Sequence, residues 1–304
     1  MPFLYETKIS LENGVSLNHG DLASLAYHNI FDYPLTLSEL LRWSVGSKSE
    51  IPIEARQIIK FQNGFYFYEE RGGIVFKRLL RKRISTRKSQ IAFKAAKALS
   101  LIPTVKLVAV TGALAMENVS DESDIDLLIV TQGGTLWTTR ILSLGLLWLK
   151  RIPTRRFDDK FQKDKICLNM WLDEDNLAWR KDRNAYTAHE IAQIVPLVNK
   201  NLTYERFIWK NKWVKEYWPR ALKVQKLNIK DQSHKSKFKK FYNFALSFCI
   251  LIFEFLFMKV EKIAFRLQYW YMKGKITREV VTPTRAFFHP VDWGKVVLSR
   301  FKSN

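Results

Sequence analysis

The stretch Ser123-Asp124-Ile125-Asp126-Leu127-Leu128-Ile129-Val130 constrains this chain more than any other. Two carboxylates stand one residue apart at the entrance to an uninterrupted apolar run. Side chains alternate faces along a strand, so Asp124 and Asp126 point one way while Ile125, Leu127 and Ile129 point the other. A run such as Leu127 to Val130 is expected of a strand buried on both faces. Two adjacent like charges are costly unless something positive lies between them. A divalent cation is the usual answer, and hard ions such as magnesium take carboxylate oxygens. Just upstream, Val108-Ala109-Val110-Thr111-Gly112-Ala113 ends a second apolar run in a glycine, which lets backbone N–H groups approach a phosphate closely. Metal ligands beside a phosphate cradle point to nucleotidyl or phosphoryl transfer. The competing reading is a solvated strand edge, against which the buried run counts.

This pattern resembles the signature of the DNA polymerase β-like nucleotidyltransferase superfamily in its small bacterial form. That signature is an apolar strand, Gly-Ser or Gly-Gly, a short helix, then Ser-Asp-hydrophobic-Asp on the next strand. Gly112-Ala113 stands at the first part and Ser123-Asp124-Ile125-Asp126 at the second. The match covers about Val105 to Thr131 and extends weakly to about Asp173. The resemblance implies an α/β (α+β) core with a mixed sheet of a few strands and helices on one side. It implies Asp124 and Asp126 as catalytic metal ligands, and Gly112, Ala113 and Ser123 against the nucleotide. Mg2+ (or Mn2+) would be the cofactor and a nucleoside triphosphate the substrate.

Three departures stand out. Ala113 replaces the usual Ser or Gly and removes a hydroxyl contact. Met116 stands where many members carry Arg. The family's third carboxylate falls on a later strand, and the candidate strand Ile166-Cys167-Leu168-Asn169-Met170-Trp171-Leu172 has Asn169 at its centre, with Asp173 on the same face four residues on. With Asn169 in the third position, metal binding weakens and a general base is missing. The site then needs another base, or binds nucleotide without turnover. An ordinary strand amide is the alternative for Asn169.

The chain has 304 residues, enough for two or three domains, and 47% apolar residues, enough for a large core. Cys167 and Cys249 both sit in apolar runs, without the spacing of a zinc site or a disulfide framework. That suits a reducing cytoplasm, and the N-terminal Met1 to Glu6 does not read as a signal peptide. The net charge of +21 implies an anionic partner. Lys77 to Arg83 with Arg87-Lys88, Lys150 to Arg156, and Lys235 to Lys240 form three basic blocks. Nucleic acid is the sharper reading, an anionic membrane surface the rival, and a merely soluble basic surface the bland one.

Four segments are expected. Residues 1–80 read as a winged-helix-like unit: a helix over Asp21 to Phe31, a second opened by the capping-box spacing Thr36-Leu37-Ser38-Glu39, a third from Pro52 to Phe61. A hairpin then pairs Gly64 to Tyr68 with Ile74 to Phe76 through Arg71-Gly72-Gly73. A basic linker helix covers 81–103. The nucleotidyltransferase core covers 104–200, with a helix from Thr135 to Leu149. Arg140 in that helix is placed either to reach phosphate or to pair on the surface. Residues 201–304 read as a helical C-terminal region. There Trp209, Trp213, Tyr217 and Trp218 suit packed core more than a base-stacking platform. Phe241 to Met258 is nearly as long as a membrane span. The stripe Asn243, Ser247, Glu254, Glu261 and Gln268 favours a helix packed in protein over one crossing lipid. His189 reads as a helix-face residue, and His289 carries no assigned role.

Overall fold

The computed structural model describes residues 9–10, 15–48, 51, 58–69, 71–156, 159–222, 260–288 and 293–300. A two-stranded ribbon, β1 (Ile9–Ser10) and β2 (Ser16–Leu17), precedes helix α1 (His19–Asn29). Asn18 and Asp21 form a reciprocal capping box at its start. The short β3 (Leu35–Thr36) leads into α2 (Leu37–Arg42), where Thr36 and Glu39 form the second capping box, as the spacing predicts.

The hairpin differs from expectation. It joins β4 (Ile59–Gln62) to β5 (Phe65–Tyr68), and β3 completes a three-stranded sheet in the order β3-β5-β4. The turn is Asn63-Gly64, both residues at positive φ (51° and 84°), the geometry that Asn-Gly favours in a two-residue hairpin loop. Residues 59–61 are therefore strand, and the rest of the expected third helix, 52–57, lies outside the described residues. Ile74 to Phe76 is not a strand either. After Gly73 at φ +79°, it opens the 26-residue helix α3 (Ile74–Leu99).

The central sheet is mixed, in the order β10-β11-β8-β7-β6-β9. Its strands are β6 (Val105–Val110), β7 (Ile125–Thr131), β8 (Ile166–Asp173), β9 (Val195–Asn199), β10 (Val280–Thr282) and β11 (Arg285–Phe287). β7 runs parallel to β8 and antiparallel to β6. Between them lie α4 (Gly112–Ala115), α5 (Leu136–Leu149), α6 (Ala185–Gln193) and α7 (Thr203–Lys210). Residues 260–272 form helix α8, and α9 spans Trp293–Arg300.

Three of these strands were not expected. The run Ala188 to Val195 reads as a helix ending at Pro196, yet Pro196 sits within β9, tolerated because β9 is an edge strand. β10 and β11 come from the region expected to be helical and extend the opposite edge through β8.

The sheet is covered on both faces, and β7 shows how. Leu128 and Val130 pack with α6, α7 and the N-terminal unit. Ile125, Leu127 and Ile129 pack with α3 and α5. All five are fully buried, each contributing roughly 1.5–3 kcal/mol of transfer free energy. Two-sided burial is why the run Leu127–Val130 lacks polar alternation.

Phe241 to Met258 lies outside the described residues. Among the described residues, no helix is long and apolar enough to cross a membrane. Two members of the polar stripe are visible on α8. Glu261 accepts hydrogen bonds from the backbone N–H groups of Trp137 and Thr138 at the start of α5, and Gln268 donates to the Trp137 carbonyl. The stripe is the face that docks on α5, whereas Ile263, Leu267, Trp270 and Tyr271 are exposed. Of the aromatic cluster, Trp213 and Trp218 are buried and Trp209 is exposed between Lys210 and Lys212.

Candidate metal and nucleotide site

The loop leading to Asp124 is held by an unusual buried cation. Lys88 of α3 is fully buried, and its ammonium donates to the carbonyls of Asp121 (2.9 Å) and Ser123 (2.6 Å) and to Oδ1 of Asp164 (2.9 Å). The Ser123 hydroxyl is tied to that of Ser120 at 2.6 Å. From this anchored loop the chain enters β7, with Asp124 and Asp126 on the face shared with Leu128 and Val130.

The two carboxylates converge with a thiol. Oxygens of Asp124 and Asp126 and the Sγ of Cys167 all lie within 4.8 Å of one another. Cys167 gets there by register, being the β8 partner of Asp126 in the parallel pair. The next aligned pair is Leu128 with Met170, so β8 carries one extra residue at this point. That irregularity also brings Asn169 to Asp126, whose Oδ1 accepts from the Asn169 amide. Asn169 is 3% exposed, and its own Oδ1 is buried without a hydrogen-bond partner.

Arg155 provides the positive charge that the pair requires. Its Nη1 donates to Asp124 Oδ2 at 2.7 Å and lies 4.0 Å from the Cys167 Sγ. Burial and then the neighbouring Asp124 charge push the Asp126 carboxyl up. Burial, followed by the two aspartates, also pushes the Cys167 thiol up.

Gly112 closes one side. Its φ is +59°, and a Cβ there would stand 3.1 Å from Asp126 Oδ2, so a side chain would press on the carboxylate. Ala113 follows in α4, where its carbonyl accepts from the Asn118 N–H at 2.9 Å and its methyl offers no hydroxyl.

A further acid comes from α6. Glu190 Oε1 accepts from Gln193 Nε2 at 2.7 Å, and the same Nε2 lies 3.4 Å from the Gly112 carbonyl. Burial and the charge of Asp126 push Glu190 up to about 7. Little in the sequence marks it, because a lone helical Glu next to His189 has no motif. Its i, i+3 spacing to Gln193 is the one available signal.

Two expected site residues are elsewhere. Asp173 pairs with Thr131 at the other end of β8, where its oxygens accept from the backbone N–H groups of Gly134 (2.7 Å) and Asp175 (2.9 Å). It caps a turn and is no third ligand. Arg140 is packed against the Phe288 ring and donates to Gln268 Oε1 at 2.6 Å, so it holds α8 to α5 instead of facing phosphate.

His189 is buried core. Its Nε2 lies 3.2 Å from that of His28, within a cluster of Tyr27, Trp43 and Trp218. A cavity of about 360 Å³ lies beyond α4, lined by Tyr33, Arg42, Trp43, Leu114 and Leu197; the Asp pair is not in its wall.

The donor set fits a divalent cation. It offers two convergent carboxylates, a thiol, and an adjacent amide with an orphaned buried oxygen. No protein-family model, curated protein or solved structure matches this chain.

Proposed function

We propose that this chain is a metal-dependent nucleotidyltransferase that moves a nucleoside monophosphate from a triphosphate to an acceptor hydroxyl. The observation carrying this reading is the convergence of Asp124 and Asp126 beside the glycine turn at Gly112. A cation held there would neutralise charge on the triphosphate as a Lewis acid. Gly112 leaves room for a phosphate next to Asp126, where any larger residue would crowd it. Asn169 fixes the orientation of the Asp126 carboxylate. Glu190, raised toward neutral pH and joined through Gln193 to the Gly112 carbonyl, supplies the general base that the third strand does not; it would take the acceptor hydroxyl's proton.

Incubating the protein with each labelled nucleoside triphosphate and Mg2+ or Mn2+ tests this. Label is expected on the protein or on co-purified RNA, and lost in Asp124→Ala and Asp126→Ala. Unchanged labelling in both variants refutes it.

A second reading is nucleotide sensing without turnover, favoured by the Arg155–Asp124 ion pair and by Asn169 in place of a carboxylate. Nucleic-acid binding through α3 has less support. Arg78, Arg81, Arg87 and Lys88 all engage groups within the protein: Glu39, the Phe31 carbonyl, Asp121 and Asp164 among them.

A further inference from the structure

We propose that Cys167 is the third ligand of the cation centre and makes it prefer a thiophilic divalent cation, such as Co2+ or Zn2+, over Mg2+. This rests on the nucleotidyltransferase reading of the Asp pair and specifies which ion that pair takes.

Cys167 is the residue of β8 aligned with Asp126, and its Sγ lies within 4.8 Å of an oxygen from each aspartate. A third carboxylate at this place would complete a hard, all-oxygen site of the kind magnesium demands. A thiol there changes the donor chemistry, because sulfur ligands select softer, later divalent ions. Asn169 is the independent sign of a ligand. Its side chain is almost wholly buried against Asp126, yet its carbonyl oxygen has no donor. An acceptor buried without a partner is costly, and a bound ion is one explanation of such a group in a native fold.

Binding requires two local changes. The Arg155 guanidinium must release Asp124 Oδ2, and the Cys167 S–H bond must break as a sulfur–metal bond forms, the proton leaving to solvent.

Titrating the metal-stripped full chain with Co2+ tests this by absorption. A thiolate-to-cobalt charge-transfer band is expected in the wild type and in Cys249→Ser. It should vanish in Cys167→Ser and Cys167→Asp. Calorimetry should show Co2+ bound at least about tenfold more weakly by Cys167→Ser. Cys167→Asp, which restores an all-oxygen set, should bind Mg2+ at least about tenfold more tightly than wild type. Cobalt binding without the band, or a band retained in Cys167→Ser, overturns the proposal. A band lost in Cys167→Ser, combined with nucleotide binding indifferent to Asp124→Asn and Asp126→Asn, upholds the centre and overturns its assigned role in nucleotide transfer.

Discussion

Replacing Lys88 with Met removes a charge whose side chain is 0% exposed. Met retains an unbranched stem of similar length, so packing along the helix is largely kept. The loss is concentrated in three hydrogen bonds, to the carbonyls of Asp121 and Ser123 and to Asp164. A buried acceptor left without a donor costs about 1–3 kcal/mol. Asp164 still has Arg87, so its share is smaller. The expected total is about 2–5 kcal/mol, set mainly by the two orphaned carbonyls. Arg87→Met is the internal control. Its pairs with Asp121 and Asp164 lie at the surface, where such contacts are worth at most about 1 kcal/mol. Urea unfolding followed by tryptophan fluorescence gives both values from midpoint shifts at constant slope. A Lys88→Met cost no larger than that of Arg87→Met would refute the claim that this lysine pins the loop before Asp124.

Other expectations follow from the same geometry. Gly112→Ala places a side chain at φ +59° and 3.1 Å from Asp126 Oδ2, so stability should fall by about 1–2 kcal/mol and nucleotide binding should weaken; wild-type values in both unfolding and binding assays would contradict this. Burial lowers His28 from 6.5 to about 4, so its neutral form stabilises the fold fully above pH 6.5. That contribution, about 3 kcal/mol, should be lost as pH falls from 6.5 to 4, and His28→Phe should remove His28's share of the pH-dependence of unfolding in that window, leaving that of the neighbouring buried His189. Arg155→Ala removes the guanidinium that competes for Asp124, so Mn2+ alone should bind roughly fivefold more tightly by calorimetry.

The site's first half was legible because it is local. Period-two alternation places Asp124 and Asp126 on one face whatever surrounds the strand, and Gly112 marks its turn by its own backbone freedom. The second half depends on pairing between distant segments. Only the parallel register of β7 with β8, and the irregularity after Cys167, bring a thiol and an amide to the same carboxylate. Cys167 looked like a core residue because its neighbours are apolar. Lys88 looked like part of a surface charge block because sequence cannot show that three acceptors surround it. The hairpin differs for another reason: Arg71-Gly72-Gly73 resembles a turn, but Asn63-Gly64 is the dipeptide whose left-handed geometry closes a two-residue loop. Pro196 reads as a helix stop although it lies in the edge strand β9, and β10 and β11 are three residues each, too short to show a period.

Anomalous diffraction from crystals soaked in Co2+ reads the cation centre itself. One peak is expected, bonded to Asp124, Asp126 and Cys167, with the Arg155 guanidinium moved off Asp124. Arg155 still seated on Asp124, with no peak between the carboxylates at saturating Co2+, would contradict it.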